Sequence, residues 1–496
     1  MPDLKRHSTK LLLLPLALLT LLSPFTTHTR AATQPANEPS STGTGAPTPP
    51  SSHPDDERPR TRGDRRSDQT PQPDIPFGPE LKAAVLKEVS NIVRSRAFAA
   101  GTDFNSWPDK LAKHQDKIDN ATSEQAFASA VNQAFREFGI SHMNLQTPRA
   151  ASQRTKTTMV GIGVSLSPQP DGLLVAALVP DAPAANAGIQ VGDIITKIDG
   201  EKPEGPESLR GDEGTSVTVT IKGPDGTERD LAITRKEFST AKTDTLTWID
   251  DDTAILKVHT FAAGYSKRRI SDLVKEASAK AKYLILDLRN NGGGSVDNLN
   301  QLLSHFLPPG TAMGTNVGRP LASKFQQETG GDATDAVAIA NWSESKVRTR
   351  SRVENRFEGK VAVLINRGSA SASEIAAAAL RDCVDAKIIG SPTAGAVLVS
   401  TFVRLPGRYA MQVPLSEYVT IKGQRLEGNP VNPDFEIASA PRVRGTPVPP
   451  PLPTDQDLAI LKAVEVLRAV AAAPQSSPVE PVDADAERLD TPDNRK

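Results

Sequence analysis

The run Tyr283-Leu284-Ile285-Leu286-Asp287-Leu288, followed by Arg289-Asn290-Asn291-Gly292-Gly293-Gly294, limits the fold more than any other part of the chain. A short, nearly continuous apolar run that ends in turn residues reads as a strand buried on both faces. Such a strand needs cover on both sides, and the sequence supplies it. From Asp252 onward, strand-like runs at residues 254–260, 283–288, 361–366 and 387–390 alternate with helix-like runs at 266–281, 297–306 and 372–382. This alternation predicts a layered α/β core.

Ahead of the core, residues 79–99 place Leu81, Val85, Val89, Ile92 and Val93 on one helical face. Residues 123–138 form a second helix, closed by Gly139. Strand patterns dominate 160–235, with short turns such as Pro224-Asp225-Gly226. Near the end, Leu458, Leu461, Val464, Leu467 and Val470 recur at helical spacing within 455–473. Residues 319–352 show no periodicity and read as a lid or an ordinary insertion.

The chain's start carries an address. Lys5, Arg6 and Lys10 precede an apolar run over 11–25, and Ala31-Ala32 follow. This is the export-signal pattern. The run is short for a spanning helix, which needs roughly 20 residues. Membrane association follows only if the segment is kept as an anchor, and both readings put the bulk of the protein outside the cytoplasm. Residues from 32 to 74 and from 474 to 496 are rich in Pro, Ser, Thr, Asp and Arg, and read as disordered. The one cysteine, Cys383, permits no internal disulfide and no paired-cysteine metal site, and no cysteine follows the apolar run to take a lipid. A formal net charge of −1 without a basic stripe argues against nucleic acid. The pattern carries no signal for an oligomeric state.

Two segments suggest binding and chemistry. Val160-Gly161-Ile162-Gly163-Val164 opens the β-rich region, and Ala187-Gly188-Ile189, Val191-Gly192-Asp193-Ile194-Ile195 and Asp199-Gly200 follow in order. This resembles a PDZ domain. A glycine-flanked loop can turn backbone N–H groups toward a chain-end carboxylate, and the adjacent strand edge can accept an extended peptide. Gly161, Ile162, Gly163 and Val164 are the peptide-binding candidates. The second segment is Gly368-Ser369-Ala370-Ser371-Ala372-Ser373-Glu374. Ser371 opens a helix, where free N–H groups stabilise an oxyanion. Ser371-x-x-Glu374 also fits a plain capping box. The glycine loop after the 283–288 strand lacks both phosphate-loop spacings. Offering a backbone N–H to an oxyanion is the better use for it.

Together, Asp287-Leu288-Arg289-Asn290-Asn291 with its glycines, the Ser371 segment and a PDZ-like region before both resemble the C-terminal processing peptidases over roughly residues 80–440. The resemblance implies an α/β serine peptidase core with an inserted PDZ domain and an N-terminal helical segment. It implies Ser371 as nucleophile and the N–H groups of Ala372 and Gly293 as the oxyanion hole. With the readings of the two ends, the chain divides into a signal (1–32), a linker (33–75), an N-terminal helical part of the core (76–150), the PDZ domain (158–237), the α/β core (238–440), a C-terminal extension with a helix (441–473) and a tail (474–496). Protein or peptide substrates follow, with no cofactor and no metal.

The sequence departs from that family at the base. Where the family carries lysine, in Thr393-Ala394-Gly395-Ala396-Val397, this chain has Ala396. Lys387 is near in sequence but outside the family's place for a base. The tricorn-core branch, which the chain also resembles, takes a histidine from a Ser-His pair before the PDZ domain and a glutamate late in the core. The matching residues are Ser141, His142 and Glu427. Histidine suits proton transfer near neutral pH. His259 is the rival base, and Glu427 reads equally as a surface residue before a turn. Ala396 also leaves open an inert peptidase scaffold that binds peptides through its PDZ domain.

Overall fold

The computed structural model describes residues 75–350, 353–438, 446–447 and 452–472. The expected signal, the linker up to residue 74 and the tail 474–496 lie outside the described residues. No helix among the described residues is long and apolar enough to cross a membrane.

The α/β core is a six-stranded sheet. Its order is Phe435–Glu436, Lys387–Gly390, Lys360–Ile365, Tyr283–Asp287, Thr253–Lys257 and Thr245–Trp248. All neighbours are parallel except the last pair. Alternate residues face opposite sides. Leu256, Leu286, Val363 and Ile388 pack with the helices Lys267–Lys280, Val296–Ser304 and Ala372–Val384. Ile255, Ile285, Leu364 and Ile389 pack against the last helix, Leu458–Ala472. Both faces are covered, as an apolar parallel sheet requires.

That last helix turns inward a face only partly the one its spacing suggested: Leu467 and Val464 face the core as expected. Ala459, Ile460, Ala463, Val466 and Leu467 are buried, while Leu458 and Leu461 are exposed. Apolar residues nearly all round this helix leave periodicity little to choose between. The expected strand over 254–260 also ends early. From Val258 the chain leaves the sheet, and Val258 O accepts a bond from Asn291 Nδ2.

A second sheet, which the sequence reading did not anticipate, is antiparallel and centred on the long strand Ala410–Thr420. Asn144–Gln146 and Ala312–Gly318 pair with different parts of that strand, Leu398–Arg404 also pairs with it, and Val347–Arg348 extends Ala312–Gly318. The N-terminal helices Pro79–Arg96 and Glu124–Arg136 pack on this sheet through Leu81, Val85, Phe127 and Phe135, against Tyr409, Met411 and Val413. Ser123 caps the second helix by accepting from Ala126 N–H.

The stretch 319–350, which shows no periodicity in the sequence, holds two short packed helices. Helices Arg319–Thr329 and Ala336–Trp342 bury Ala322, Phe325, Ala336 and Ile339 against Val317 and Val419. Their signals are local ones. Pro320 sits in the first turn, Gly330 ends the first helix at φ 71°, and Asp335 caps the second.

The PDZ-like region is a separate five-stranded sheet in sequence order: Val164–Gln169, Gly172–Leu178, Ile194–Ile198, Ser216–Lys222 and Glu228–Thr234. The chain enters along Thr158–Gly161 and leaves along Lys236–Ser239, and these two strands pair as an antiparallel neck. Val164–Gln169 is an edge strand beside the short turn Pro206–Leu209.

Candidate active site

Two adjacent parallel strands set the site. Asp287 pairs with Leu364, so the loops that leave Tyr283–Asp287 and Lys360–Ile365 emerge side by side. The first is the glycine loop and the second carries Ser371. The loops are tied together by several bonds. Ser369 Oγ donates to Leu288 O at 2.9 Å, Ala370 N–H to Asn291 O at 3.1 Å, and Ser373 Oγ to Asn291 O at 2.8 Å. Asn290 N–H reaches Asn366 Oδ1 at 2.9 Å.

Ser371 stands at the N-terminus of Ala372–Val384 with φ 56° and ψ −115°. A non-glycine residue is rarely held there, and such strain collects at reactive positions. Its backbone N–H donates to Glu374 Oε2 at 2.9 Å. Glu374 therefore supplies a cap through its carboxylate, while Ser371 Oγ lies 3.1 Å from His142 Nε2. Glu374 is wholly buried and gathers three further donors: Thr393 Oγ1 at 2.6 Å, Gly395 N–H at 2.8 Å and Ala396 N–H at 3.0 Å. The Ala396 carbonyl in turn accepts from Ser371 N–H at 3.1 Å. Ala396 thus contributes both of its backbone polar groups to the nucleophile's support.

His142 arrives from the other sheet. The turn after Glu124–Arg136 passes Gly139 and leads into Asn144–Gln146, which pairs with Ala410–Thr420. Asn132 clamps that strand, accepting from Leu145 N–H at 2.6 Å and donating to Leu145 O at 2.9 Å. His142 also has φ 56°. Its Nδ1 lies 2.6 Å from Ser141 Oγ, and Ser141 Oγ donates to Glu427 Oε2 at 2.8 Å. A hydroxyl has one proton to give. With that proton on Glu427, Ser141 accepts from His142 Nδ1–H, which leaves the Nε2 lone pair facing Ser371. Glu427 is itself fixed by Ser141 N–H at 2.7 Å and Val397 N–H at 2.7 Å. Burial pushes the His142 pKa below its usual 6.5, and the Glu427 charge offsets part of that.

The structure thus brings together Ser371, His142, Ser141 and Glu427. Glu427 is buried, not a surface residue before a turn. His259 makes no hydrogen bond to Ser371 among the described residues, and its backbone N–H is held by Asp244 Oδ1 at 2.8 Å. Lys387 opens its strand at the end opposite the nucleophile loop and pairs with Asp385 at 2.9 Å.

The oxyanion pair is half available. Gly293 lies directly under the nucleophile: a side chain there would sit 2.7 Å from Ala370 O and 2.8 Å from Ser371 Cβ. Its N–H, however, donates to Asn291 Oδ1 at 3.0 Å. Ala372 N–H, at the first helical position, has no intrahelical acceptor. Asn291 is a residue that sequence reasoning passed over. Fully buried, it ties the glycine loop to Val258, Ala370 and Ser373. Its place beside the glycines was the available signal.

In the PDZ-like region, the Ile162 side chain is buried in the domain's own core and its carbonyl accepts from Ala184 N–H at 2.8 Å, so its backbone N–H is the group left for a peptide. Gly163 holds φ 82°, and a Cβ there would meet Ala182 Cβ at 2.2 Å, so the tight loop requires glycine.

Comparison with known proteins identifies the family. The pattern of peptidase family S41 matches residues 252–437, and that of a PDZ domain matches 174–223. A carboxy-terminal-processing protease of Bartonella bacilliformis is 30% identical over 383 residues, spanning 72% of this chain and 81% of that protein. The chain belongs to peptidase family S41. A probable CtpA-like serine protease of Staphylococcus haemolyticus is 26% identical over 325 residues, spanning 64% of this chain and 60% of that protein. The S41 chain therefore spans less than two thirds of that relative's length. Among solved structures, a photosystem II D1 C-terminal processing protease matches 72% of this S41 chain and 92% of its own, at 20% identity and a TM-score of 0.41. The S41 match ends at residue 437, before the last helix. The PDZ match begins at residue 174, past the Gly161–Val164 loop.

Proposed function

We propose that this protein is an exported serine endopeptidase that cleaves protein or peptide substrates by an acyl-enzyme route. The observation that carries the reading is the unbroken relay Ser371–His142–Ser141–Glu427. Ser371 Oγ attacks the scissile carbonyl carbon as His142 Nε2 takes its proton. The carbonyl electron pair moves onto oxygen, where Ala372 N–H meets it. Collapse breaks the C–N bond, and His142 returns the proton to the leaving amine. Water then repeats the sequence, with His142 as base, and frees the acid and Ser371. Ser141 and Glu427 hold the imidazole in the tautomer that leaves Nε2 open.

The edge strand Val164–Gln169 and the Gly161–Val164 loop supply the place where an extended substrate end docks. The N-terminal pattern of Lys5, Arg6 and Lys10 before an apolar run supports a location outside the cytoplasm. The direct test is degradation of an unfolded protein, reduced casein, by wild type and Ser371→Ala. Degradation by the wild type alone supports the reading. Peptide binding without turnover by either protein favours the inert scaffold that Ala396 suggests.

A further inference from the structure

We propose that Asp457, at the start of the last helix, is a positioning residue that sets the glycine loop beneath Ser371 through Arg289. The inference rests on the serine-peptidase reading above.

Arg289 lies between the strand Tyr283–Asp287 and the glycines. Each of its nitrogens and its carbonyl oxygen has a partner. Its backbone N–H and Nε both donate to Asp287 Oδ1, at 2.9 and 3.0 Å, and Nη2 donates to Asp287 Oδ2 at 2.9 Å. Its carbonyl accepts from Lys257 Nζ at 3.2 Å, and Lys257 also pairs with Asp287 at 2.8 Å. The remaining donor, Nη1, reaches Asp457 Oδ2 at 2.7 Å. Asp457 uses its other oxygen to accept Ala459 N–H at 3.1 Å, at the N-terminus of Leu458–Ala472. One carboxylate therefore caps a helix and grips the root of the glycine loop.

The cluster is largely screened from water. The side chains of Asp287, Arg289 and Asp457 are 5%, 21% and 15% exposed. Burial opposes the charge on Asp287, but Arg289 and Lys257 outweigh it and hold the carboxyl below its ordinary range. Removing one partner of such a cluster leaves a charge unpaired. Arg289 would then lose one of its two anchors.

Position passes from Arg289 to the nucleophile through short bonded steps. Asn290 and Asn291 come next in the chain. They bond Asn366, Ala370 and Ser373, which flank Ser371. A shift at Arg289 therefore moves the surface on which Ser371 rests. Asp457 lies beyond the residues that the family pattern matches. The extension is thus coupled to the chemistry as well as covering the sheet.

The test compares full-length wild type, Ser371→Ala, Asp457→Ala, Asp457→Asn, Asp457→Glu and Leu467→Ala. Labelling by a fluorophosphonate probe is followed for its maximal rate and half-saturating concentration, and Tm is measured for each protein. Leu467 is buried on the same helix, so its truncation loosens the helix and spares the ion pair. The proposal expects Asp457→Ala to lower the maximal rate by roughly tenfold or more at unchanged half-saturation. Asp457→Glu should recover most of the rate, and Leu467→Ala should keep the wild-type rate despite a lower Tm. If Asp457→Ala does not fold, Asp457→Asn carries the same comparison. An unchanged rate overturns the latch and leaves the Ser371 reading standing, and so do rate losses that track Tm alike in Asp457→Ala and Leu467→Ala. Wild type labelled no better than Ser371→Ala overturns the peptidase reading, and the latch with it.

Discussion

His142 Nε2 and Ser371 Oγ lie 3.1 Å apart across 229 residues of sequence. The histidine is carried by the N-terminal helical part and the antiparallel sheet, the serine by the parallel sheet. The PDZ-like region is spliced between them at its two-stranded neck. Neither sheet holds a complete site. A fluctuation that separates the two layers dismantles the relay without unfolding either one.

The pH dependence of Ser371 labelling should reflect His142. The base acts when neutral, and burial holds its pKa below 6.5. The acid limb of the rate should therefore fall below pH 6.5. Glu427 raises that pKa, so Glu427→Gln should move the limb to still lower pH while reducing the maximal rate. A limb above 6.5, or an upward shift in Glu427→Gln, contradicts the assignment.

Gly293→Ala should abolish labelling. The added Cβ would meet Ala370 O at 2.7 Å and Ser371 Cβ at 2.8 Å, at a backbone φ of 90°. Ala370 O belongs to the backbone and Ser371 Cβ is bonded directly to it, so neither can yield as the end of a flexible side chain can. Circular dichroism should show the fold retained, with the loss confined to the reaction.

Glu374→Ala should cost both stability and activity. It strands the N–H groups of Gly395 and Ala396 and the Thr393 hydroxyl, and leaves Ser371 N–H with the Ala396 carbonyl alone. A buried donor left unsatisfied costs about 1–3 kcal/mol. Urea denaturation should show a loss of at least about 3 kcal/mol, and casein degradation should cease. A loss under about 1 kcal/mol would mean that solvent replaces the carboxylate.

A small, mostly apolar cavity borders the glycine loop, the Ser371 helix and the strand after Ala396. Val296 follows the glycine loop, Ile375 lies one turn below Ser371, and Val399 lies three residues after Ala396; Met313, Tyr418, Leu299 and Val347 line it too, with Asn300 and Asn316 at its wall. Tyr418 OH donates to Met313 O at 2.7 Å, so that hydroxyl is already satisfied within the wall. Peptides with a small apolar residue before the cleaved bond should be preferred. Val399→Phe should reduce cleavage after Leu relative to Ala by about tenfold or more, which kcat/KM for paired peptides would measure.

The parallel sheet was legible because its strands are buried on both faces and read as unbroken apolar runs. The N-terminal helix was legible from Leu81, Val85 and Val89, all buried as their spacing requires. The antiparallel sheet was not, because Ala410–Thr420 mixes Gln412, Pro414, Ser416 and Glu417 with apolar residues. Its Glu417 is buried against Arg425, a pairing that no local pattern reveals. The four residues of the relay could be named from motifs. Their bond lengths, and the capture of Gly293 N–H by Asn291, depend on loops whose contacts are far apart in sequence.

The most direct measurement is fluorophosphonate labelling of wild type, Ser371→Ala and His142→Ala at neutral pH. The account predicts labelling of the wild type, none of Ser371→Ala, and a rate for His142→Ala reduced by on the order of a hundredfold or more. Labelling of His142→Ala at the wild-type rate would contradict the relay, and absence of labelling in the wild type would contradict the peptidase itself.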